Sequence, residues 1–183
     1  MSKRSTAKTL VFSAAAVALA TVIATVLKLP SLPFGGSITL FSMLFICLVG
    51  YWYGPAVGLT ASVSFGILQF ITGPYIVHPL QVLLDYPLAF GALGLSGFFH
   101  NRKHGLLLGY IAGVAGRFFF HEISGFIFYT EYAGNLKGDL LAVWASTAYN
   151  LSYLLPEMLI TIILLALRPV EKALARVKQL AAE

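Results

Sequence analysis

The chain has 183 residues, of which 58% are hydrophobic and 10% charged, with a formal net charge of +5. Soluble domains carry about 45–50% apolar and about 25% charged residues, so a mean hydropathy of +0.85 excludes a soluble globule and points to the lipid bilayer as solvent. The twelve Lys and Arg residues are parcelled out between apolar runs rather than gathered on one face, which excludes a nucleic-acid surface. The single cysteine, Cys47, can form neither an internal disulfide nor a cysteine-based metal site.

At about 20 residues per membrane span, the length accommodates six helices in one integral membrane domain covering residues 1–183. The apolar runs predict them at about 7–29, 38–53, 56–72, 79–99, 106–129 and 140–167. In the first, Lys3, Arg4 and Lys8 precede an apolar run containing Ala18-Leu19-Ala20, a pattern resembling a secretory signal. The run continues to Leu29, longer than the usual apolar region of a signal, so it is read as a retained helix. Ala14 and Ala18, and Ala16, Ala20 and Ala24, repeat every four residues, a spacing that lets a second helix approach closely, either within the bundle or from a partner. Breaks follow at Leu29-Pro30-Ser31-Leu32-Pro33 with Gly35-Gly36, at Gly54-Pro55, at Gly73-Pro74, from Asn101 to Gly105, and between Gly134 and Gly138. The second run is short for a straight span.

Six spans put both termini on one side. Nine basic residues fall there (Lys3, Arg4, Lys8, Arg102, Lys103, Arg168, Lys172, Arg176 and Lys178), against Lys28 and Lys137 on the other side. The positive-inside rule therefore makes the termini cytoplasmic. Arg117 lies within the fifth span, where pairing with Glu157 of the sixth is expected. Pro156, next to Glu157, is expected to kink that helix.

Asp85 is the only acidic residue in the first 121 positions, and it lies in the apolar run Val82-Leu83-Leu84-Asp85-Tyr86-Pro87-Leu88. A carboxylate at that depth costs several kcal/mol unless it faces a cavity with a partner. At about 1.5 Å per residue, Asp85 lies ~9 Å, His121 ~12 Å and Asn150 ~15 Å below the outer surface. Three helices thus bring polar groups to one outward-opening half of the bundle. Tyr75, Tyr86, Phe118 to Phe120, Tyr129, Trp144, Tyr149 and Tyr153 surround them. Any one of these rings alone is an ordinary interfacial anchor. Flat rings around a fixed anion suit a small planar ligand that is cationic or bears an amino group. Successive helical residues point about 100° apart, so His121 and Glu122 are not expected to face the same cavity.

No Gly-x-x-x-x-Gly-Lys-Ser/Thr loop is present for ATP hydrolysis. Gly94-Leu95-Ser96-Gly97 resembles the Gly-x-Ser-Gly of rhomboid proteases, but no histidine matches it in depth, so a small-residue packing patch is the better reading.

The run Phe34-Gly-Gly-Ser-Ile-Thr-Leu-Phe-Ser-Met43, then Tyr53-Gly-Pro-Ala-Val-Gly58, and above all the block from Gly66 through Gly73-Pro-Tyr-Ile-Val-His-Pro-Leu-Gln-Val-Leu-Leu-Asp-Tyr-Pro-Leu-Ala-Phe-Gly91 resemble the thiamine-specific S-components (the ThiT/YuaJ family) of energy-coupling factor transporters. Arg117-Phe-Phe-Phe-His121 with Ser124-Gly125, and Ser146-Thr-Ala-Tyr-Asn-Leu-Ser-Tyr-Leu-Leu-Pro-Glu157, continue the likeness, which spans residues 7–167. The resemblance implies an all-α, six-helix membrane subunit that captures thiamine from outside and is not itself an enzyme. It implies substrate contacts at Asp85, Tyr86, His121 and Asn150, stacking by Tyr129, and a third connection carrying Tyr75 that closes over the site. Where members of the family carry an acid near the start of helix two, this chain has Ser37, Thr39 and Ser42. An aromatic residue expected near Ala145 is absent unless Trp144 or Tyr149 replaces it. No cofactor is implied. The expected partners are a transmembrane coupling subunit and two ATPase subunits in the plasma membrane, with Ala14, Ala16, Ala18, Ala20 and Ala24 as the packing face. A self-sufficient proton-coupled carrier of a vitamin or amine, and an S-component for another vitamin, stay open as alternatives.

Overall fold

The computed structural model describes residues 6–30, 32–128 and 139–182, and among these there is no β-strand. The helices are α1 (Thr6–Val26), α2 (Ser42–Tyr53), α3 (Pro55–Thr72), α4 (Pro79–Phe99), α5 (Gly105–Ile127), α6 (Asp139–Ala166) and α7 (Arg168–Ala182). Five of them, α1, α3, α4, α5 and α6, are long and apolar enough to cross a membrane, while α2 is a shorter apolar helix. Tyr129 and Lys137 lie outside the described residues.

The expected spans thus correspond to α1 through α6. The second begins later than predicted because residues 38–41 belong to a connection that enters α2 through Phe41 in the left-handed region, at φ 72°. Short as it is, α2 is the most enclosed helix. Met43, Ile46, Cys47 and Val49 are fully buried, so it needs no lipid-facing stripe. The other long helices leave Leu, Ile and Val side chains on the outside, such as Val11 and Val22 of α1, Ile67 and Ile71 of α3, and Leu159 and Ile163 of α6. In a bilayer such residues are solvated by lipid tails rather than stranded.

The alanines of α1 separate into two registers. Ala16, Ala20 and Ala24 are buried in the core, whereas Ala14 and Ala18 are exposed. The spacing therefore serves two faces, and only Ala14 and Ala18 are available to an outside helix.

Gly94 to Gly97 is a site of close helix approach. Ser96 is fully buried, a Cβ added at Gly97 would lie 2.5 Å from Pro55, and one added at Gly109 would lie 2.9 Å from the Ser96 backbone. This is the packing patch the sequence suggests.

Helix α4 is not α-helical throughout. Leu84–Leu88 forms a π turn in which the Ala89 N–H reaches back to the carbonyl of Leu84. Pro87 sits inside this turn and has no N–H to give the carbonyl of Leu83, so the regular ladder is broken there and the turn widens. Helix α3 accommodates the widened turn at Gly66, where a Cβ would lie 2.5 Å from the carbonyl oxygen of Tyr86.

Beyond the last predicted span, α7 folds back against the end of the bundle that carries the 100–104 connection. Leu174, Val177 and Ala181 face the core. Lys178 donates to the carbonyl of His100 at 3.0 Å and lies 3.6 Å from the centroid of the Tyr51 ring. The ammonium thereby caps the C-terminal end of α4, where a positive charge is favoured. The charge pattern of this segment speaks only to topology. The amphipathic period Val170, Leu174, Val177, Ala181 is the signal that marks it as a helix.

Candidate ligand-binding site

A cavity of about 450 Å³ opens at the end of the bundle bearing the first and third connections. Its size falls in the usual range for small-molecule sites. Asp85, Tyr86, His121, Asn150 and Tyr75 all line it, so five residues singled out from the sequence converge. Trp144 does not join them. It is 65% exposed and points away from the cavity, because α6 turns the neighbouring Ala145 inward. Tyr149, one helical turn further on, brings an aromatic ring to that wall. The expected stacking residue Tyr129 lies outside the described residues.

Asp85 is the hub. Its Oδ2 accepts from Gln81 Nε2 at 2.7 Å and Ser124 Oγ at 3.0 Å, and its Oδ1 pairs with His121 Nδ1 at 2.9 Å. Gln81 stands one turn before Asp85 on α4, while His121 and Ser124 stand three apart on one face of α5. Arg117 extends the same α5 face, its Nε donating to His121 Nε2 at 3.2 Å while its guanidinium lies 4.1 Å from the centroid of Phe90. Arginine can only donate, so His121 Nε2 accepts and the ring proton sits on Nδ1, directed at Asp85. The expected Arg117–Glu157 pair is not formed. Among the described residues the ion pair recorded is His121–Asp85. Glu157 instead accepts from the Thr39 N–H at 2.9 Å and from Thr39 Oγ1 at 3.2 Å, placing a carboxylate at the entry to α2. This carboxylate is buried and lies outside the cavity wall, so it does not stand in for the acid missing from the start of helix two.

An ionised carboxylate offers about four acceptor lobes. Three of Asp85's are filled by Gln81, Ser124 and His121, leaving one on Oδ1. Both ring nitrogens of His121 are already engaged, so this residue offers the cavity a ring face and no further hydrogen bond. Asn150 is similarly committed. Its amide donates to Glu122 Oε1 at 2.9 Å and Ser146 Oγ at 3.2 Å, and its oxygen accepts from Tyr153 Oη at 2.8 Å. Glu122 lies between α5 and α6, also accepting from Thr147, and is absent from the cavity wall. The expected angular separation from His121 is therefore observed.

Tyr86 and Asp85 are consecutive, yet both line the cavity, which the widened π turn makes possible. The Tyr86 hydroxyl also holds the third connection, accepting from the Tyr75 N–H at 2.7 Å and donating to the carbonyl of Gly73 at 3.4 Å. Gln81 adds to this, with Oε1 accepting from Val77 N–H at 3.1 Å and Nε2 donating to the carbonyl of Tyr75 at 3.3 Å. The first connection closes the opposite rim. Tyr149 Oη accepts from the Gly36 N–H at 2.7 Å and donates to the carbonyl of Pro33, while Phe34 packs edge-on against Tyr149 and Tyr75. Sequence reasoning assigns cover to the third connection alone. It misses Gln81 and Ser124, although each lies at a helical neighbour position, four before Asp85 and three after His121.

Fold and site together define a multi-pass helical membrane protein with an aromatic-walled cavity built around one fixed carboxylate. The chain belongs to the thiamine transporter protein family (Thia_YuaJ), whose model matches residues 10–176. It is 33% identical over 151 residues to the thiamine transporter ThiT of Bacillus subtilis strain 168, covering 75% of this chain and 77% of that one. It is also 34% identical over 80 residues to ThiT of Lacticaseibacillus paracasei, covering 37% and 40% of the two chains. The solved structure of ThiT from Listeria monocytogenes superposes with a TM-score of 0.66 at 26% identity, over 88% of this chain and 94% of that one.

Proposed function

We propose that this protein is the thiamine-binding S-component of an energy-coupling factor importer in the plasma membrane. Its termini would be cytoplasmic and its cavity open to the outside. The observation that carries the reading is the Asp85 carboxylate, held by three donors on the wall of an aromatic-lined cavity with one acceptor lobe unfilled. The exocyclic amine of an aminopyrimidine fills that lobe, and the permanently cationic thiazolium is attracted both to the carboxylate and to the faces of Tyr75, Tyr86 and Tyr149. His121 contributes its ring face. Asn150 contributes at most the second lone pair of its oxygen, because both amide hydrogens are in use.

The family likeness supports thiamine as the ligand, and the names of the relatives say the same of those proteins. Energy would come from a transmembrane coupling subunit and two ATPase subunits, with the exposed Ala14–Ala18 face of α1 as the contact. The test is to purify the chain, identify any co-purified vitamin by mass spectrometry, and titrate thiamine calorimetrically. The chain is then reconstituted alone in liposomes under an imposed proton gradient. Binding without uptake is expected. Uphill uptake by the chain alone would refute the S-component assignment in favour of a self-sufficient carrier.

A further inference from the structure

Several polar groups on the cavity wall are tied to other protein groups, among them those of Gln81, His121, Ser124 and Asn150. One buried group on α3 is not. Gln69 lines the cavity, and its Nε2 is buried without a hydrogen-bond partner among the described residues. The residue's main chain is not short of partners, since its carbonyl accepts from the Gly73 N–H at 3.1 Å. The orphan is the side-chain amide alone. A buried N–H that meets no acceptor leaves its desolvation cost uncompensated, and native structures rarely keep one without a reason. Its neighbours on the wall do not relieve it: the Tyr86 hydroxyl is taken by Gly73 and Tyr75, and Gln69 makes no hydrogen bond to the lobe that Asp85 keeps free.

We infer that Gln69 is a ligand-binding residue that donates a hydrogen bond to an uncharged acceptor on the bound molecule, a ring nitrogen or a hydroxyl oxygen. This rests on the thiamine reading above and deepens it. The wall then presents two complementary demands: Asp85 asks the ligand for a donor, and Gln69 asks it for an acceptor. An aminopyrimidine carries both on one ring, and thiamine's hydroxyethyl arm carries a second acceptor.

The test compares wild type with Gln69→Met, which keeps length and removes the amide, using three probes. These are thiamine, an analogue lacking the hydroxyethyl oxygen, and an analogue with one pyrimidine nitrogen replaced by carbon. Gln69→Met is expected to weaken thiamine binding about tenfold. Wild type should bind one analogue about tenfold more weakly than thiamine, and for that analogue the substitution should make no further difference; which analogue it is distinguishes ring nitrogen from hydroxyl. Unchanged thiamine affinity in Gln69→Met, or equal losses for all three probes, would overturn the role of Gln69 while leaving thiamine binding through Asp85 intact. Failure of wild type to bind thiamine would overturn the reading on which both rest.

Discussion

Replacing Asp85 with Asn keeps the shape of the side chain and changes only its charge and one acceptor, so the structure dictates how it fails. The amide oxygen is best placed where Oδ2 now accepts from Gln81 and Ser124. The amide nitrogen then occupies the place of Oδ1, donor against donor with the Nδ1–H of His121, and it also faces the incoming N–H of the ligand. His121 cannot escape by moving its proton to the other nitrogen, because Arg117 Nε already donates there at 3.2 Å. The ligand loses a charge-assisted hydrogen bond of about 1.5–3 kcal/mol, so thiamine affinity is expected to fall roughly 10- to 100-fold. Isothermal titration of purified protein measures this directly, with a thermal melt to establish that the variant is folded. The reasoning also predicts coupling. In an Arg117→Met background His121 is released to switch tautomer and accept from the amide introduced at position 85, so the cost of Asp85→Asn should shrink by about 1 kcal/mol in a double-mutant cycle. Affinity within about threefold of wild type, or strict additivity of the two changes, would refute the relay from Arg117 to Asp85.

Three further outcomes follow from other parts of the molecule. Tyr149→Phe removes the hydroxyl that ties Gly36 and Pro33 to α6, a loss of about 1 kcal/mol, and should raise the thiamine dissociation rate several-fold in stopped-flow fluorescence. Ala18→Trp on the exposed face of α1 should leave thiamine binding intact and prevent co-purification with the coupling subunits, whereas Ala20→Trp at a fully buried position should lower the melting temperature of the chain itself. Lys178→Met should cost about 1 kcal/mol of stability through its contacts with the His100 carbonyl and the Tyr51 ring, read as a lower melting temperature at unchanged thiamine affinity.

Much of this architecture is legible in the sequence because a bilayer imposes long apolar runs, and Gly and Pro mark where they end. Asp85 is conspicuous for the same reason, as an acid without company in an apolar stretch, and His121 and Asn150 follow by depth. What is not legible depends on angles rather than depth. Trp144 and Tyr149 are both aromatic and lie about 7.5 Å apart along α6, and the rotation of that helix decides that the second faces inward. Arg117 could reach either His121 or Glu157 by spacing; in the fold it turns to His121 and the Phe90 ring, while Glu157 is held by Thr39. The π turn at Leu84–Leu88 is signalled by Pro87, yet a proline in a helix equally announces a kink. Gln81 and Ser124 are polar residues of ordinary type, and they gain meaning only once Asp85 is known to sit between them.

The three-point hold on Asp85 bears on how the site behaves over time. Because Gln81, Ser124 and His121 already fix the carboxylate's position and direction, an arriving ligand has no side chain there to order and no rival hydrogen bond to displace. Recognition is by addition to a finished network. The entropy of assembling that anchor is spent when the protein folds, not when it binds. On the proposed reading the connections at the rim, tied down by Tyr86 and Tyr149, govern escape rather than the anchor, so residence time and affinity are set by different residues and can be altered separately.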